Sequence, residues 1–321
     1  MAHDAPNVVA RGSGGPAGRM STMAELPVGC GPITWRPYQR QDEAAWPEER
    51  ILAEIAEAGY DGAPASVHPT RSTEETLALY RELGLRVAPG YLGAPLWQAD
   101  QRESIVERAK RDSALMRAGG CDALYVAAGG AEYTAASGKT RRQVSGQVTA
   151  EDGLTDEEMK AFAGTLNEVG AATLAEGVRS CFHNHVGTVI ETRAEFERLL
   201  ALADPATVFL GPDTGHIAWA GDDPVAFCRD YAARIKTIHV KDIDQAVAAR
   251  GRAEGWDYGG FSANGIWLEP GSGAIDFPAI LADLEAAGLD GWIIVETDVT
   301  PLSSALESAT VSRNYLRTIG L

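Results

Sequence analysis

The stretch Gly177-Val178-Arg179-Ser180-Cys181-Phe182-His183-Asn184-His185 contains the unit that repeats along this chain. It follows a long amphipathic segment over residues 155–176, and its first glycine suits the C-terminal cap of a helix. We therefore predict a helix followed by a strand over residues 178–185. Because side chains alternate along a strand, His183 and His185 share one face at the carboxyl end of that strand.

The same unit recurs from residue 27 to the end of the chain. Apolar runs alternate with segments whose apolar residues recur every three or four positions, which is helical periodicity. The predicted strands cover residues 28–34, 62–67, 86–92, 123–128, 178–185, 208–214, 237–243 and 291–297. The predicted helices cover residues 47–58, 73–83, 104–118, 155–176, 194–203, 224–234, 277–287 and 304–318. Eight strands that alternate with eight helices predict an α/β fold, a (β/α)8 TIM barrel.

The predicted barrel forms a single domain over residues 27–321 with two long loops, 129–154 after strand four and 244–273 after strand seven. A doubly wound open sheet is disfavoured because no Gly-x-Gly-x-x-Gly follows the first strand. Both loops follow carboxyl ends of strands, where barrel active sites are built, so we expect lids or subunit contacts. The second loop contains Trp256, Tyr258, Phe261 and Trp267. These aromatic residues predict either a cluster that packs on itself or a functional surface, which would be a cap over the pocket or a dimer contact.

Composition limits the classes of protein that fit this chain of 321 residues. Its net charge of −17 disfavours binding to nucleic acid. No run of about 18 apolar residues is present, so we expect no membrane span. Residues 1–26 are rich in Gly, Ala, Pro and Ser without an apolar core, so they do not resemble a secretory signal. They predict either a disordered tail or sequence upstream of a true start at Met20 or Met23. The four cysteines form no Cys-x-x-Cys pair, which indicates buried thiols and a cytoplasmic protein.

Four strand ends carry side chains that bind divalent metals. His183, Asp213, His239 and Glu296 end predicted strands five, six, seven and eight in turn. Parallel strands lie about 4.8 Å apart, so these four side chains can converge on one ion. Imidazole and carboxylate are the ligands of hard or borderline divalent cations. The sequence therefore predicts a metal site at the carboxyl end of the barrel.

Acid–base groups accompany the predicted ligands. His185 shares the face of His183, and His216 follows a Thr-Gly turn after Asp213, so both are candidates for proton transfer. Lys241 lies two residues beyond His239, where it can hold an oxyanion or act as an acid. Glu296 is a candidate for both ligand and base.

Four further residues are candidates for contact with substrate. Trp35, after strand one, is either a pocket wall or a core residue, and His68, after strand two, lies either at the mouth or in a surface turn. Asp242 is either an outer carboxylate that orients its neighbours or a helix cap. Glu269 precedes the turn Pro270-Gly271-Ser272-Gly273, from which it can reach the pocket.

The segments that carry these residues resemble a known family. Phe-His-Asn-His-Val-Gly-Thr-Val-Ile-Glu-Thr (182–192), Asp-Thr-Gly-His (213–216), His-Val-Lys-Asp (239–242) and Val-Glu-Thr-Asp (295–298) resemble the xylose-isomerase-like TIM-barrel superfamily of sugar phosphate isomerases and epimerases. Within it the chain is most similar to the inosose dehydratases, which also have a histidine at the position of His183. The resemblance implies the ligand set His183, Asp213, His239 and Glu296.

The chain also departs from that group. Inosose dehydratases tend to carry a glutamate after strand two and a polar Ser-Glu-Gln-like end on strand four. This chain has Gly62-Ala63-Pro64-Ala65-Ser66 and Val126-Ala127-Ala128-Gly129-Gly130 at those places. Both changes remove polar groups from the expected pocket.

These patterns together predict an enzyme that uses a divalent metal, Mn²⁺ or Co²⁺ first and Mg²⁺ or Zn²⁺ as alternatives. We expect a lyase that dehydrates a polyhydroxy ketone such as an inosose through α-proton abstraction and an enediolate. A sugar isomerase or epimerase, a C-glycoside deglycosidase subunit and a non-catalytic sugar-binding barrel are the alternatives. The expected partner is a small polyol or sugar, with a homo-oligomer or, for a C-glycoside lyase, a small partner subunit.

Overall fold

The computed structural model describes residues 23–321, so most of the predicted N-terminal tail lies outside the described residues. Residues 23–26, which the sequence assigned to that tail, are folded. Met23–Glu25 forms a 3-10 turn, and the side chains of Met23 and Leu26 are buried in the core. The folded part therefore begins at least four residues before the predicted boundary at 27.

Eight parallel strands close into a barrel, which confirms the predicted fold. The strands are β1 (Val28–Cys30), β2 (Gly62–Pro64), β3 in two segments (Arg86–Ala88 and Gly90–Ala94), β4 (Ala123–Ala128), β5 (Arg179–His183), β6 (Val208–Leu210), β7 (Ile238–Val240) and β8 (Ile293–Val295). Strand β8 pairs with both β1 and β7, and the remaining neighbours pair in chain order. Parallel bridges from Leu210 to Ile235 and from Asp213 to His239 join β6 to β7 and complete the ring.

Twelve α-helices occur within residues 23–321. They are α1 (Arg36–Gln41), α2 (Glu48–Glu57), α3 (Thr73–Glu82), α4 (Arg102–Ala118), α5 (Asp156–Ala175), α6 (Arg193–Leu200), α7 (Thr214–Trp219), α8 (Pro224–Tyr231), α9 (Gln245–Glu254), α10 (Tyr258–Ala263), α11 (Phe277–Ala286) and α12 (Ala305–Thr318). Eight of them correspond to the predicted helices. The other four, α1, α7, α9 and α10, follow strand ends β1, β6 and β7 and shape the mouth of the barrel.

Local sequence explains where the outer helices begin. Three of them start with a capping box, in which a Ser or Thr hydroxyl accepts the backbone N–H of a Glu three residues on. The carboxylate of that Glu in turn accepts the backbone N–H of the Ser or Thr. The pairs are Ser72 with Glu75, Thr155 with Glu158 and Thr192 with Glu195. Each such cap typically contributes about 1 kcal/mol to stability.

The two long loops lie where the sequence predicted them. The loop after β4 contains the 3-10 turns Arg141–Val144 and Ala150–Asp152. The loop after β7 is spanned by a short antiparallel hairpin, Asp242–Ile243 with Trp267–Leu268, which encloses α9 and α10. Within the described residues, no helix combines the length and apolar character needed to span a bilayer.

Candidate active site

The carboxyl ends of β5 to β8 bring the predicted site residues to the mouth of the barrel. His183 is the last residue of β5, His239 lies within β7, and Glu296 directly follows β8. Asp213 comes three residues after β6 and caps α7, because its Oδ1 accepts the backbone N–H of His216 at 3.0 Å. The predicted strand 208–214 is therefore shorter than expected, since this cap turns the chain into a helix.

Three of the four predicted metal ligands form one cluster. Ligand atoms of His183, Asp213 and His239 all lie within 4.8 Å of one another. The Nδ1 of His183 lies 3.0 Å from the carbonyl oxygen of Gly211. Donation from Nδ1 to that oxygen leaves the Nε2 lone pair free, which is the usual arrangement of a metal-binding histidine.

Buried atoms without hydrogen bonds indicate that this cluster fits a cation. Within the described residues, Asp213 Oδ2 and both ring nitrogens of His239 are buried and form no hydrogen bond, although Asp213 Oδ2 lies 3.2 Å from Lys241 Nζ and His239 Nδ1 lies 3.3 Å from Glu296 Oε2. Buried polar atoms are almost always satisfied in folded proteins, so His239 Nε2, which has neither a hydrogen bond nor an ion pair, fits a bound ligand. The donor set of two imidazoles and a carboxylate suits a divalent transition metal.

Glu296, the fourth predicted ligand, lies beside this cluster rather than within it. Its Oε2 is 3.3 Å from His239 Nδ1 and 3.2 Å from Lys241 Nζ. Burial alone would raise the pKa of Glu296, but His239 and Lys241 outweigh burial and lower the pKa to about 2. Its carboxylate packs over Gly31, where a Cβ would stand 2.2 Å from Oε1, so a larger residue there would displace the Glu296 side chain.

Lys241 is a buried ammonium among three carboxylates. Its Nζ lies 3.2 Å from Asp213 Oδ2, 3.2 Å from Glu296 Oε2 and 2.7 Å from Asp298 Oδ1. Burial alone would lower the pKa of Lys241, but these carboxylates raise it well above its usual range. Lys241 therefore carries a positive charge directly beside the predicted metal site.

A second cluster adjoins the first. Ligand atoms of His185, His216 and Asp298 lie within 4.8 Å of one another, and the two imidazole rings are 3.7 Å apart. Burial lowers the pKa of both histidines, so each is neutral at pH 7. The Nε2 of His216 lies 3.4 Å from Lys241 Nζ, which couples the two clusters.

The aromatic residues of the β7 loop cover this second cluster. Phe261 and Trp267 are buried and pack with Trp219 at ring-centroid distances of 5.0 and 5.2 Å. Trp267 also lies 5.4 Å from the ring of His216, while the hydroxyl of Tyr258 lies 3.4 Å from Asp298. The predicted self-packed cluster therefore exists, and Tyr258 extends it over the site.

A cavity of about 350 Å³ opens onto the first cluster. The residues that line it are Pro32, Ile33, Arg36, Pro64, Ala65, Ser66, Pro89, Tyr91, Tyr125, His183, His185, His239, Lys241, Glu296 and Asp298. His216 does not line it and is fully buried, so among the predicted proton-transfer residues only His185, Lys241 and Glu296 face the cavity.

The four residues predicted to contact substrate do not line this cavity. Trp35 is fully buried and donates its indole N–H to Glu54 at 2.7 Å, because its 3-10 turn directs the ring outward between helices. The Nδ1 of His68 accepts the backbone N–H groups of Thr70 and Arg71 in a turn. Both residues take the structural alternative that the sequence had left open.

Asp242 and Glu269 are also occupied elsewhere. The Oδ2 of Asp242 accepts the N–H groups of Gly271 and Gly273 at 3.0 and 2.9 Å and so holds the glycine turn. The Oε1 of Glu269 accepts the hydroxyls of Thr300 and Ser308. Neither carboxylate lines the cavity, because Asp242 binds backbone N–H groups of its own loop and Glu269 binds hydroxyls of the segment after β8 and of α12.

Sequence reasoning missed ten of the residues that line the cavity, and four of these ten have charged or aromatic side chains. Asp298 had a usable signal, since it lies two residues after Glu296 and period two places both on one face. Tyr125 lies in the centre of β4, a strand buried on both faces, so alternation gave no direction for its side chain. Arg36 and Tyr91 carried no pattern that distinguished them from surface residues.

Comparison with known proteins agrees with this geometry. The sequence profile of the xylose isomerase-like TIM barrel family matches residues 52–318. The rhizopine catabolism protein MocC of Rhizobium meliloti is 31% identical over 290 residues, which cover 89% of this chain and 85% of that protein. The inosose dehydratase of Geobacillus kaustophilus (strain HTA426) is 28% identical over 92% of this chain and 95% of its own length.

Solved structures show the same architecture. The probable 3-DHS dehydratase AsbF of Bacillus anthracis superposes with a TM-score of 0.65 over 91% of this chain and 99% of that one, at 14% identity. Identity that low establishes the fold alone. The matched profile, by contrast, extends over most of the barrel and includes all four predicted ligand positions. The chain therefore belongs to the xylose isomerase-like TIM barrel family.

Proposed function

We propose that this protein is a divalent-metal-dependent lyase that dehydrates a polyhydroxy ketone such as an inosose. The single observation that supports this most strongly is the buried Lys241 ammonium, which lies 3.2 Å from Asp213 Oδ2 and lines an open cavity together with His183, His239 and Glu296. The relatives named inosose dehydratase, matched over most of this chain, support the same class of substrate.

The metal site of this proposal uses His183, Asp213 and His239, with Glu296 completing the set from the adjoining strand. We propose Mn²⁺ or Co²⁺ because the donors are mixed imidazole and carboxylate. A divalent cation held there would polarise the ketone carbonyl and acidify the neighbouring C–H bond.

The protein side chains then move the protons. Glu296 is ionised and lines the cavity, so its carboxylate takes the proton from the α-carbon. The electron pair of that C–H bond forms an enediolate, and the Lys241 ammonium stabilises its oxygen. The β-carbon loses its hydroxyl as water when a proton reaches that oxygen through His185, the histidine that faces the cavity. The proton that Glu296 takes from carbon is matched by the proton that His185 passes to the leaving hydroxyl. The net change in the substrate is therefore the loss of one water.

Isomerisation or epimerisation shares the first of these steps. Return of the proton to carbon, instead of to a leaving hydroxyl, would give either outcome with the same residues. The two reactions differ in whether water is lost, which can be measured directly.

The test is solvent-deuterium exchange on an inosose and on a ketose with Mn²⁺ or Co²⁺ present. We expect deuterium at the α-carbon together with water loss, and we expect a chelator or Glu296→Gln to abolish both. Glu254→Gln, the same change at an exposed position on α9, is the matched control and should keep full activity. Exchange that persists with chelator or in Glu296→Gln would reject the mechanism.

A further inference from the structure

The cavity has two chemically different halves. Strands β5, β7 and β8 and the residues just beyond them supply its charged and imidazole groups, which are His183, His185, His239, Lys241, Glu296 and Asp298. The segments at the ends of β1, β2 and β3 supply the opposite wall, and Tyr125 of β4 lies between the two halves. The residues of the opposite wall are Pro32, Ile33, Arg36, Pro64, Ala65, Ser66, Pro89 and Tyr91. The proposed chemistry uses only residues of the charged half. The residues of the opposite wall can therefore determine which substrates bind.

The second half is poor in hydrogen-bond donors, because three of its residues are prolines and two more have aliphatic side chains. Pro32, Pro64 and Pro89 stand at the ends of β1 and β2 and within β3, and proline has no N–H. Ile33 and Ala65 present only methyl and methylene groups. We define Pro32, Ile33, Pro64, Ala65 and Pro89 as the apolar wall.

Tyr91 extends the apolar wall with an aromatic face. Although it lies in β3, its side chain is 42% exposed, and its ring stands edge-on to His183 at 5.3 Å. Aromatic rings in such a position bind flat apolar groups by stacking. The polar groups of this half are the Arg36 guanidinium and the hydroxyls of Ser66 and Tyr91, and all three residues are exposed.

This arrangement disfavours a ring with a free hydroxyl on every carbon. Hydroxyls pressed against the apolar wall would lose their water and find no partner, which costs binding. A substituent made of methyl, methylene or aryl groups has no such cost and gains from burial.

We infer that the substrate is a polyhydroxy ketone with an apolar substituent, an alkyl or aryl ether or glycoside, and that this substituent lies against the apolar wall and Tyr91. The inference rests on the proposed function for the ketone end of the substrate. It adds that the selectivity of the enzyme resides on β1 to β3, opposite the predicted metal.

The test compares a hexose that carries its ketone at carbon 3 with the methyl and phenyl glycosides formed at carbon 1 of the same keto-hexose. The ketone therefore stays free in all three substrates of the metal-loaded enzyme. We expect kcat/KM for deuterium exchange to be at least tenfold higher for the phenyl glycoside, within the roughly 10- to 200-fold range that one apolar group gives in a fitted pocket. Equal values, or a preference for the free keto-hexose, would overturn the inference.

Two variants at one position locate the effect. Ile33→Val and Ile33→Thr have nearly the same shape and differ in one methyl against one hydroxyl. We expect Ile33→Thr to lower the preference for the phenyl glycoside severalfold relative to Ile33→Val, because the hydroxyl offers the free sugar a partner. The same preference in both variants would contradict a role for the apolar wall.

Binding separates this inference from the proposed function. Calorimetry with the corresponding unreactive hexose and its phenyl glycoside measures the preference without turnover. If no substrate exchanges deuterium but the glycoside binds at least tenfold more tightly, the proposed function fails and the inference stands. If exchange occurs and binding shows no preference, or if neither sugar binds, the inference fails.

Discussion

Gly215, in the Asp-Thr-Gly-His segment, is explained by the lysine that lies against it. A Cβ at this position would stand 2.8 Å from Lys241 Cγ and 3.1 Å from Cδ, so the bare backbone of α7 gives room for the lysine stem. Thr214 adds a second constraint, because its hydroxyl donates to the carbonyl oxygen of Lys241 at 2.8 Å and accepts its N–H at 3.0 Å. Helix α7 therefore positions the ammonium beside Asp213.

Replacing this glycine should impair turnover while leaving the metal site in place. We expect Gly215→Ala to displace the Lys241 side chain and lower kcat about tenfold to a hundredfold, part of the loss typical for removal of one oxyanion donor. Gly259→Ala in α10, where nothing lies closer than 3.5 Å to the added Cβ, is the matched control. Unchanged kcat in Gly215→Ala, measured at saturating metal, would contradict the role given to Lys241.

Glu191 is a buried carboxylate that the proposed chemistry does not use. It accepts the N–H groups of Gly146 and Gly187 at 2.7 Å each and so joins the loops that follow β4 and β5. Burial raises its pKa from the usual 4.5 to about 7, because Arg141 and the two N–H groups compensate only in part. A raised folded pKa means that the folded state holds this proton more tightly than the unfolded state does.

Glu191 should therefore make stability depend on pH in a defined direction. Its stabilisation is fully present below pH 4.5 and is lost as pH rises to about 7, a change of about 3 kcal/mol by linkage. Urea unfolding of the wild type and of Glu191→Gln at several pH values measures it. We expect the wild type to lose stability relative to the variant over this range. A difference that is constant with pH would show that the Glu191 pKa is not raised.

At the scale of elements, one arginine holds the long loop after β4. Arg141 is fully buried and donates to the carbonyl oxygens of Thr188 and Asp152 at 2.7 and 2.8 Å. It also forms a bidentate pair with Glu195 at 2.8 and 3.0 Å. These bonds fix the β4 loop to the segment between β5 and α6, which carries His185 into the cavity.

Removing that arginine should loosen the loop and destabilise the fold. We expect Arg141→Met to cost about 3–5 kcal/mol, because it leaves the Glu195 carboxylate buried without its partner. Urea unfolding measures this cost, and faster hydrogen exchange within residues 129–154 would localise it. Lys139→Met removes an exposed charge from the same loop and should change stability by less than about 0.5 kcal/mol. Equal effects of the two substitutions would show that Arg141 does not hold the β4 loop in place.

The regular elements were predictable from sequence for local physical reasons. Helix α5 begins at Thr155 with a capping box and has apolar residues at helical spacing, and both signals are visible without a structure. Helix α7 was not predicted, because six residues that follow a strand carry too little periodicity, and an Asp followed by Thr-Gly also suits a turn. Short elements at the mouth thus remained hidden.

At the scale of the whole molecule, the convergence of β5 to β8 followed from parallel strand order, so the cluster of His183, Asp213 and His239 was predictable. The residues of the opposite wall were not, because their placement depends on how individual turns direct side chains after β1, β2 and β3. Trp35 and its neighbour Arg36 illustrate this. The 3-10 turn Pro32–Trp35 buries the Trp35 side chain away from the cavity, while Arg36 lines the cavity.

The central claim is that the ends of the last four barrel strands bind one divalent cation, and metal stoichiometry tests it most directly. We expect one Mn²⁺ or Co²⁺ per chain and a melting temperature several degrees higher with metal, as about 2.7 kcal/mol at a hundredfold excess over Kd implies. His239→Gln should lose the ion, and His68→Gln, the same change in an exterior turn, should keep it. Binding by His239→Gln as tight as by the wild type, or no bound ion in the wild type, would contradict the account.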